Sequence, residues 1–268
     1  MLLGIVQGLT EFFPVSSSGH LVIAQGYIEG FRQPGVLFDV MVHFGTLVAI
    51  VFFLRSEVAA ILRSLLPGSV DPPGAEEMVP VRRRIALYIV TGTACTVAIA
   101  LLFENRVHHL FASAGIAAAM LLVTGLLLFL ADRVEGAERK ESDLTLTDGI
   151  IVGIVQGIAL IPGISRSGAT IAAGMFRKLN GETAARFSFL MSIPAVAGAM
   201  VYESRYAGAV PAGELGIYFA GAVVAAITGF LTLRVLFFII KAQKLRIFAY
   251  YCWFVGIATL VLRTVAHG

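Results

Sequence analysis

Two short segments hold most of the residues in this chain whose types and spacing could do chemistry. The first reads Gln7-Gly8-Leu9-Thr10-Glu11-Phe12-Phe13-Pro14-Val15-Ser16-Ser17-Ser18-Gly19-His20, and the second Pro162-Gly163-Ile164-Ser165-Arg166-Ser167-Gly168-Ala169-Thr170. Gln7 and Glu11 are four apart and share a helix face. One segment brings a carboxylate and an imidazole, the other a guanidinium that stays charged at any working pH. Serine and glycine ahead of a helical stretch suit N-capping and leave backbone N–H groups pointing outward. Such helix N-termini bind anions. Two of them, with Arg166, make a phosphate or diphosphate site. Ser16, Ser17, Ser165 and Thr170 add hydroxyl donors, and Ser167 and Gly168 lie in the same stretch. Helix capping alone is the competing reading for Ser16, Ser18 and Ser167. Asp39 and His43, four apart in another apolar run, read as packing residues or as supports behind the site rather than as catalysts.

The surroundings say where this chemistry sits. Of 268 residues, 58% are hydrophobic and 14% charged, against about 45–50% and about 25% in soluble domains. Mean hydropathy is +0.88. This excludes an ordinary soluble enzyme and a disordered chain. A net charge of +3 on scattered basic residues leaves no phosphate-tracking groove, so no nucleic-acid partner is expected. The expected class is an all-α polytopic membrane protein. An acid such as Glu11 inside such a protein is expensive and marks function by default.

Six apolar runs are long enough to span a bilayer: Val36–Leu54, Ile85–Phe103, Ser113–Ala131, Ala184–Tyr202, Leu215–Ile239 and Phe248–Val265. Residues 2–27 and 149–176 are too long for loops and too interrupted for single helices. Broken backbone at membrane depth persists only where protein or a watery cavity satisfies it, so both read as re-entrant hairpins. Ser56–Leu66 reads as a short interfacial helix, Pro67–Pro80 as a surface loop, and Arg186 as a snorkelling side chain. Basic residues concentrate in 55–84, 132–147 and 241–246, which the positive-inside rule assigns to the cytoplasm. The first hairpin then enters from outside and the second from the cytoplasm.

The two segments are related. Gly4-Ile5-Val6-Gln7-Gly8 recurs as Gly153-Ile154-Val155-Gln156-Gly157, and the same offset aligns Ser16, Ser18 and Gly19 with Ser165, Ser167 and Gly168. That is eight identities in sixteen positions, where composition would give about one or two. Three spans separate the copies, so the halves are expected to be inverted: residues 1–131 and 148–268, joined by a linker at 132–147. The copies differ where it counts. Arg166 stands where the first has Ser17, Leu160 where it has Glu11, and Ala169 where it has His20.

At these residues the chain resembles the undecaprenyl-diphosphate phosphatase family, membrane enzymes associated with bacitracin resistance. That family carries an acid or Gln followed by x-x-x-Glu, here Gln7 to Glu11; Pro-Val-Ser-Ser-Ser/Thr-Gly-His, here Pro14 to His20; and Pro-Gly-x-Ser-Arg-Ser-x-x-Thr, here Pro162 to Thr170. The resemblance implies hydrolysis of undecaprenyl diphosphate to undecaprenyl phosphate and inorganic phosphate. It further implies a bacterial cytoplasmic membrane, a site opening to the extracytoplasmic side, and dependence on a divalent cation such as Mg²⁺ or Ca²⁺. Glu11 and Gln7 are the candidate metal ligands, although Gln7 stands where the family often has Glu. Arg166 would clamp the diphosphate, with Gln7, Ser16, Ser165, Ser167, Gly168 and Thr170 around it. Glu11 would be base or metal ligand, and His20 general acid or base. Ser17 would be either the nucleophile or a donor to a phosphate attacked by water. A transporter or flippase of a lipid phosphate is the alternative of the same architecture. A homodimer stays open.

Overall fold

A computed structural model describes residues 1–27, 36–67, 76–110, 113–206 and 215–267. Eleven α-helices carry them, with no sheet among the described residues. Five of these helices are long and apolar enough to cross a membrane: α5 (Val79–Leu110), α6 (Ala114–Ala131), α9 (Gly181–Glu203), α10 (Leu215–Lys241) and α11 (Arg246–His267). A sixth candidate is the pair formed by α3 (Val36–Phe53) and α4 (Arg55–Leu65), which are bent by 77° at their break. The chain is a multi-pass helical membrane protein, and each expected span falls within one helix except for Leu54 and Ser113, which lie just outside α3 and α6. α4 takes the place of the expected interfacial helix, burying Ile61 and Ser64 while leaving Leu62 and Leu65 exposed. The expected loop 67–80 lies largely outside the described residues, as do the side chains of Arg106, His108 and His109.

Both interrupted segments fold as helix–break–helix. Residues 2–27 give α1 (Leu2–Phe12) and α2 (Ser17–Tyr27); the second segment gives α7 (Leu146–Ile158) and α8 (Arg166–Phe176). The breaks are built alike. Ser16 Oγ accepts from Gly19 N at 3.2 Å, and Ser165 Oγ from Gly168 N at 3.1 Å. Ser16 and Ser18 hydroxyls stand 3.3 Å apart, those of Ser165 and Ser167 3.2 Å. The turns need left-handed backbone at Ser16 (φ 67°) and Gly163 (φ 94°). At Gly163 a Cβ would also strike the Ala117 carbonyl.

Glycines let the half-helices α1 and α7 lie directly on spanning helices. Gly4 and Gly8 meet Gly221 and Thr228 of α10, in that order. Gly149, Gly153 and Gly157 meet Tyr88, Gly92 and Ile99 of α5, also in order. Each pair therefore runs parallel. A threonine closes each seam: Thr228 Oγ1 donates to Gly4 O at 3.4 Å, and Thr96 Oγ1 to Gly153 O at 2.9 Å. α3 packs along α10, and Phe38 near Gly221 and Phe53 near Phe237 set the two parallel. α5 returns in the opposite sense, since Arg83 near its start bonds Ser64 at the end of α4. The half-helices α1 and α7 thus approach from opposite ends, and their breaks meet where Gly19 abuts Gly163 and Pro14 abuts Gly168.

One end of the molecule carries a charged belt. Asp148 is fully buried and accepts from Arg139 at 2.6 Å, Arg177 at 2.8 Å and the Thr145 hydroxyl at 2.8 Å. The Asp148 carboxylate raises the Arg139 guanidinium above its ordinary pKa. Arg186 does not snorkel. It pairs with Glu57 at the start of α4 and with Glu182 at 2.9 Å, tying the end of α3 to the start of α9.

The glycine seam is open to a direct check. A Cβ on Gly153 would lie 2.2 Å from the Gly92 carbonyl oxygen, whereas one on Gly216 meets nothing within 4 Å. Gly153→Val is expected to cost about 1–3 kcal/mol or more through overpacking, read as a lowered Tm in detergent, while Gly216→Ala leaves Tm at or above the parent value.

Candidate active site

Glu11 stands in the last turn of α1, at the junction of the two hairpins. Its side chain is 8% exposed. Oε2 accepts from Gln7 Nε2 at 3.0 Å and from Ser17 Oγ at 2.9 Å. Oε1 pairs with Arg166 Nη2. His43 Nε2 lies 4.0 Å from Oε2. Each partner is placed by local structure. Gln7 is one turn back on α1. Ser17 and Arg166 open α2 and α8 because Ser16 and Ser165 cap them.

The electrostatics run against helix convention. A carboxylate is disfavoured at a helix C-terminus and a cation at an N-terminus, each by about 0.3–1 kcal/mol at exposed sites. Glu11 occupies the last turn of α1 and Arg166 the first position of α8. Their mutual pairing offsets both. An anion brought to Arg166 would meet two helix N-termini and a guanidinium at once.

A cavity of about 650 Å³ opens beside this junction. Gln7, Glu11, Ser17 and Arg166 line its polar corner, joined by Asp39 and His43 of α3 and by Thr96 and Gln156. Its flank is apolar, with Val97, Ala100 and Leu101 of α5 facing Pro194, Val196 and Met200 of α9. A smaller recess of about 50 Å³ lies behind Glu11, lined by Ser16, Ser17, Ser165 and Arg166.

The expected site residues separate into groups. Glu11, Ser17, Arg166 and Gln7 come together on the cavity. Ser16 and Ser165 reach only the small recess, their hydroxyls engaged in capping. Ser167, Gly168 and Thr170 line neither space. Ser167 Oγ donates to Phe13 O at 3.4 Å, Gly168 packs on Pro14, and Thr170, fully buried, bonds its own helix and Ser188 of α9. These three hold the hairpins in place instead of facing the cavity. His20 is also turned away: Nδ1 donates to Ser16 O at 2.8 Å, and Nε2 accepts from the Tyr251 hydroxyl of α11 at 2.8 Å. The rings stack with centroids 5.6 Å apart.

Sequence reasoning passed over four cavity residues. Asp39 and His43 carried a signal, a polar pair one turn apart in an apolar span. Gln156 carried another, as the repeat partner of Gln7. Thr96 carried none. Gln156 Nε2 donates to Thr96 Oγ1 at 3.1 Å, and the Oε1 atoms of both Gln7 and Gln156 are buried without a hydrogen-bond partner.

Glu11 and Gln7, the expected metal ligands, bond each other here, and the Gln7 Oε1 left without a partner is the atom that could face a cation. Both Glu11 oxygens are engaged, one of them by a guanidinium that competes with any cation. Gln7 directs its N–H toward Glu11, and among the described residues no cluster of three or more His, Cys, Asp or Glu could complete a shell. A Mg²⁺ held through one or two carboxylates, water and substrate phosphate would be taken by Glu11 in exchange for one of its present partners.

Fold and site together define a polytopic membrane protein with a buried carboxylate–guanidinium pair on a cavity with an apolar flank. The model of the family described as bacitracin resistance protein BacA matches residues 1–258, and the chain belongs to that family. A protein of Syntrophotalea carbinolica named undecaprenyl-diphosphatase is 43% identical over 256 residues, covering 96% of this chain and 95% of its own length. Proteins of the same name from Desulforapulum autotrophicum and Methanobrevibacter smithii are each 40% identical, covering 99% and 96% of this chain and 98% and 94% of their own lengths.

The ion pair makes a stability prediction independent of activity. Arg166→Met leaves Glu11 buried and unpaired and is expected to cost about 3–5 kcal/mol. Adding Glu11→Gln should recover most of that loss, read from Tm values across the double-mutant cycle. Additive losses in the double variant would deny the coupling.

Proposed function

We propose that the chain hydrolyses undecaprenyl diphosphate to undecaprenyl phosphate and inorganic phosphate, with Ser17 as nucleophile. The observation that carries this reading is the Ser17 hydroxyl hydrogen-bonded to Glu11 at 2.9 Å while Arg166 holds the other carboxylate oxygen. Nucleophile, base and anion-binding cation thus meet in one corner of a cavity whose remaining wall is apolar. The relatives' names support hydrolysis over the carrier alternative.

Phosphoryl transfer is mostly positioning and charge neutralisation. The diphosphate enters the polar corner and draws Arg166 into a bidentate contact. The lipid tail lies along the α5–α9 flank. Ser17 Oγ attacks the terminal phosphorus, its proton passing to Glu11 Oε2. The phosphoanhydride bond breaks, and its electron pair leaves on undecaprenyl phosphate. Water then releases phosphate from Ser17. Gln7 holds the Glu11 carboxylate in line through its N–H. His20 takes no proton in this scheme, because both ring nitrogens are engaged by Ser16 and Tyr251.

The architecture is read as two inverted repeats, 1–131 and 148–268. Support comes from the opposite approach of α1 and α7 and from the matching caps at Ser16 and Ser165. The site is read as opening to the extracytoplasmic side of a bacterial cytoplasmic membrane. α9 starts in the charged belt, near the basic segments assigned to the cytoplasm, and its other end, at Tyr202 and Glu203, lines the cavity.

Detergent-purified protein supplied with undecaprenyl diphosphate is expected to release inorganic phosphate, and folded protein that releases none would end the proposal. Arg166→Lys should lower turnover by about 10²–10³, since a point charge cannot replace the guanidinium fork. With substrate labelled in its terminal phosphate, acid-quenched protein should carry label on Ser17, and Ser17→Ala should abolish both label and turnover. Parent-like turnover in Ser17→Ala would shift the attack to water.

A further inference from the structure

We propose that His43 is a catalytic residue that takes the proton of the water attacking phosphorylated Ser17. The inference rests on the phosphatase reading above. The first half of that reaction leaves the Ser17 proton on Glu11, so Glu11 cannot accept a second one. The hydrolytic half needs another base close by.

His43 projects from α3 into the polar corner, its side chain 34% exposed. Its Nδ1 lies 2.8 Å from the backbone oxygen of Asp39, one turn earlier. A carbonyl only accepts, so Nδ1 carries the proton and Nε2 of the neutral ring presents a lone pair. That Nε2 is 4.0 Å from Glu11 Oε2. The separation is beyond a direct hydrogen bond and suits an intervening water. Ser17 Oγ is 2.9 Å from the same Oε2, so a water bridging the two groups would lie beside the serine.

His20 provides the contrast. It has the same backbone-fixed tautomer, but Tyr251 occupies its lone pair. Of the two imidazoles, His43 alone lines the cavity. Among the described residues, the charged groups that line the cavity with it are Glu11 of α1, Arg166 of α8, Glu203 of α9 and Asp39 of its own helix.

In the step, the water oxygen forms a bond to the phosphorus on Ser17 as its proton passes to His43 Nε2. The bond from phosphorus to Ser17 Oγ breaks, Oγ keeps the electron pair, and the proton stored on Glu11 returns to it. The His43 imidazolium then gives up its proton to solvent as phosphate leaves.

Rapid-quench turnover with substrate labelled in the terminal phosphate, on the full chain in detergent, tests this. His43→Ala and His43→Gln should each slow phosphate release about 100-fold, labelled Ser17 should build up, and added imidazole should restore release about ten-fold in the alanine variant only. Tm values check folding, and if His43→Ala does not fold, accumulation of label in the near-isosteric His43→Gln decides. Release at the parent rate overturns the inference, as does slowed release without build-up of labelled Ser17. A parent protein that releases no phosphate instead defeats the phosphatase reading itself.

Discussion

The structure depends on one ion pair that joins the two hairpins at the point where both are broken. Glu11 and Arg166 are 155 positions apart in sequence and come from half-helices approaching from opposite ends. Each stands at the end of its helix where the helix dipole disfavours its charge. Neither is stable there alone at low dielectric, since an unpaired buried charge costs several kcal/mol. Together they hold the breaks in register and place Ser17 against the carboxylate. An arrangement chosen for stability alone would reverse the two charges. The observed one leaves Arg166 at a helix N-terminus, where guanidinium and helix dipole would act together on an anion.

Around this pair several local features recur while the chemistry differs. Serine caps, glycine seams and threonine clasps recur in both halves with matching partners. Gln7 and Gln156 occupy equivalent places on the same cavity, yet only Gln7 has a carboxylate one turn ahead; Gln156 has Leu160 there and turns to Thr96. In the proposed mechanism one capped N-terminus presents the nucleophile Ser17 and the other the Arg166 guanidinium.

Much of this was legible in the residues. The spans follow from run length, and the hairpins from Pro14, Ser16 to Gly19, and Pro162-Gly163 inside apolar stretches. Repeat identity pointed to the junction, and the unlike residues at repeat positions pointed to Glu11 and Arg166. What was not legible is which side of a short helix faces the cavity. His20 and Ser17 are three residues apart on α2, and only contact with Tyr251 of α11 decides that His20 faces away. Ser167 and Thr170 look like phosphate donors by type, but close approach of the hairpins and of α9 consumes their hydroxyls. His43 looked like packing because its neighbour Glu11 lies 32 positions earlier, across a contact that local pattern does not encode.

The exchanged variant Glu11→Arg/Arg166→Glu tests the pairing most directly, with Tm and phosphate release measured on the same preparation. Both charges then sit at the helix ends that favour them, while the cation leaves the N-terminus of α8. The expected result is a protein clearly more stable than either single charge reversal, at or near the parent Tm, with turnover abolished. Turnover near that of the parent, or a Tm no better than the single reversals, would contradict the central role assigned to this pair.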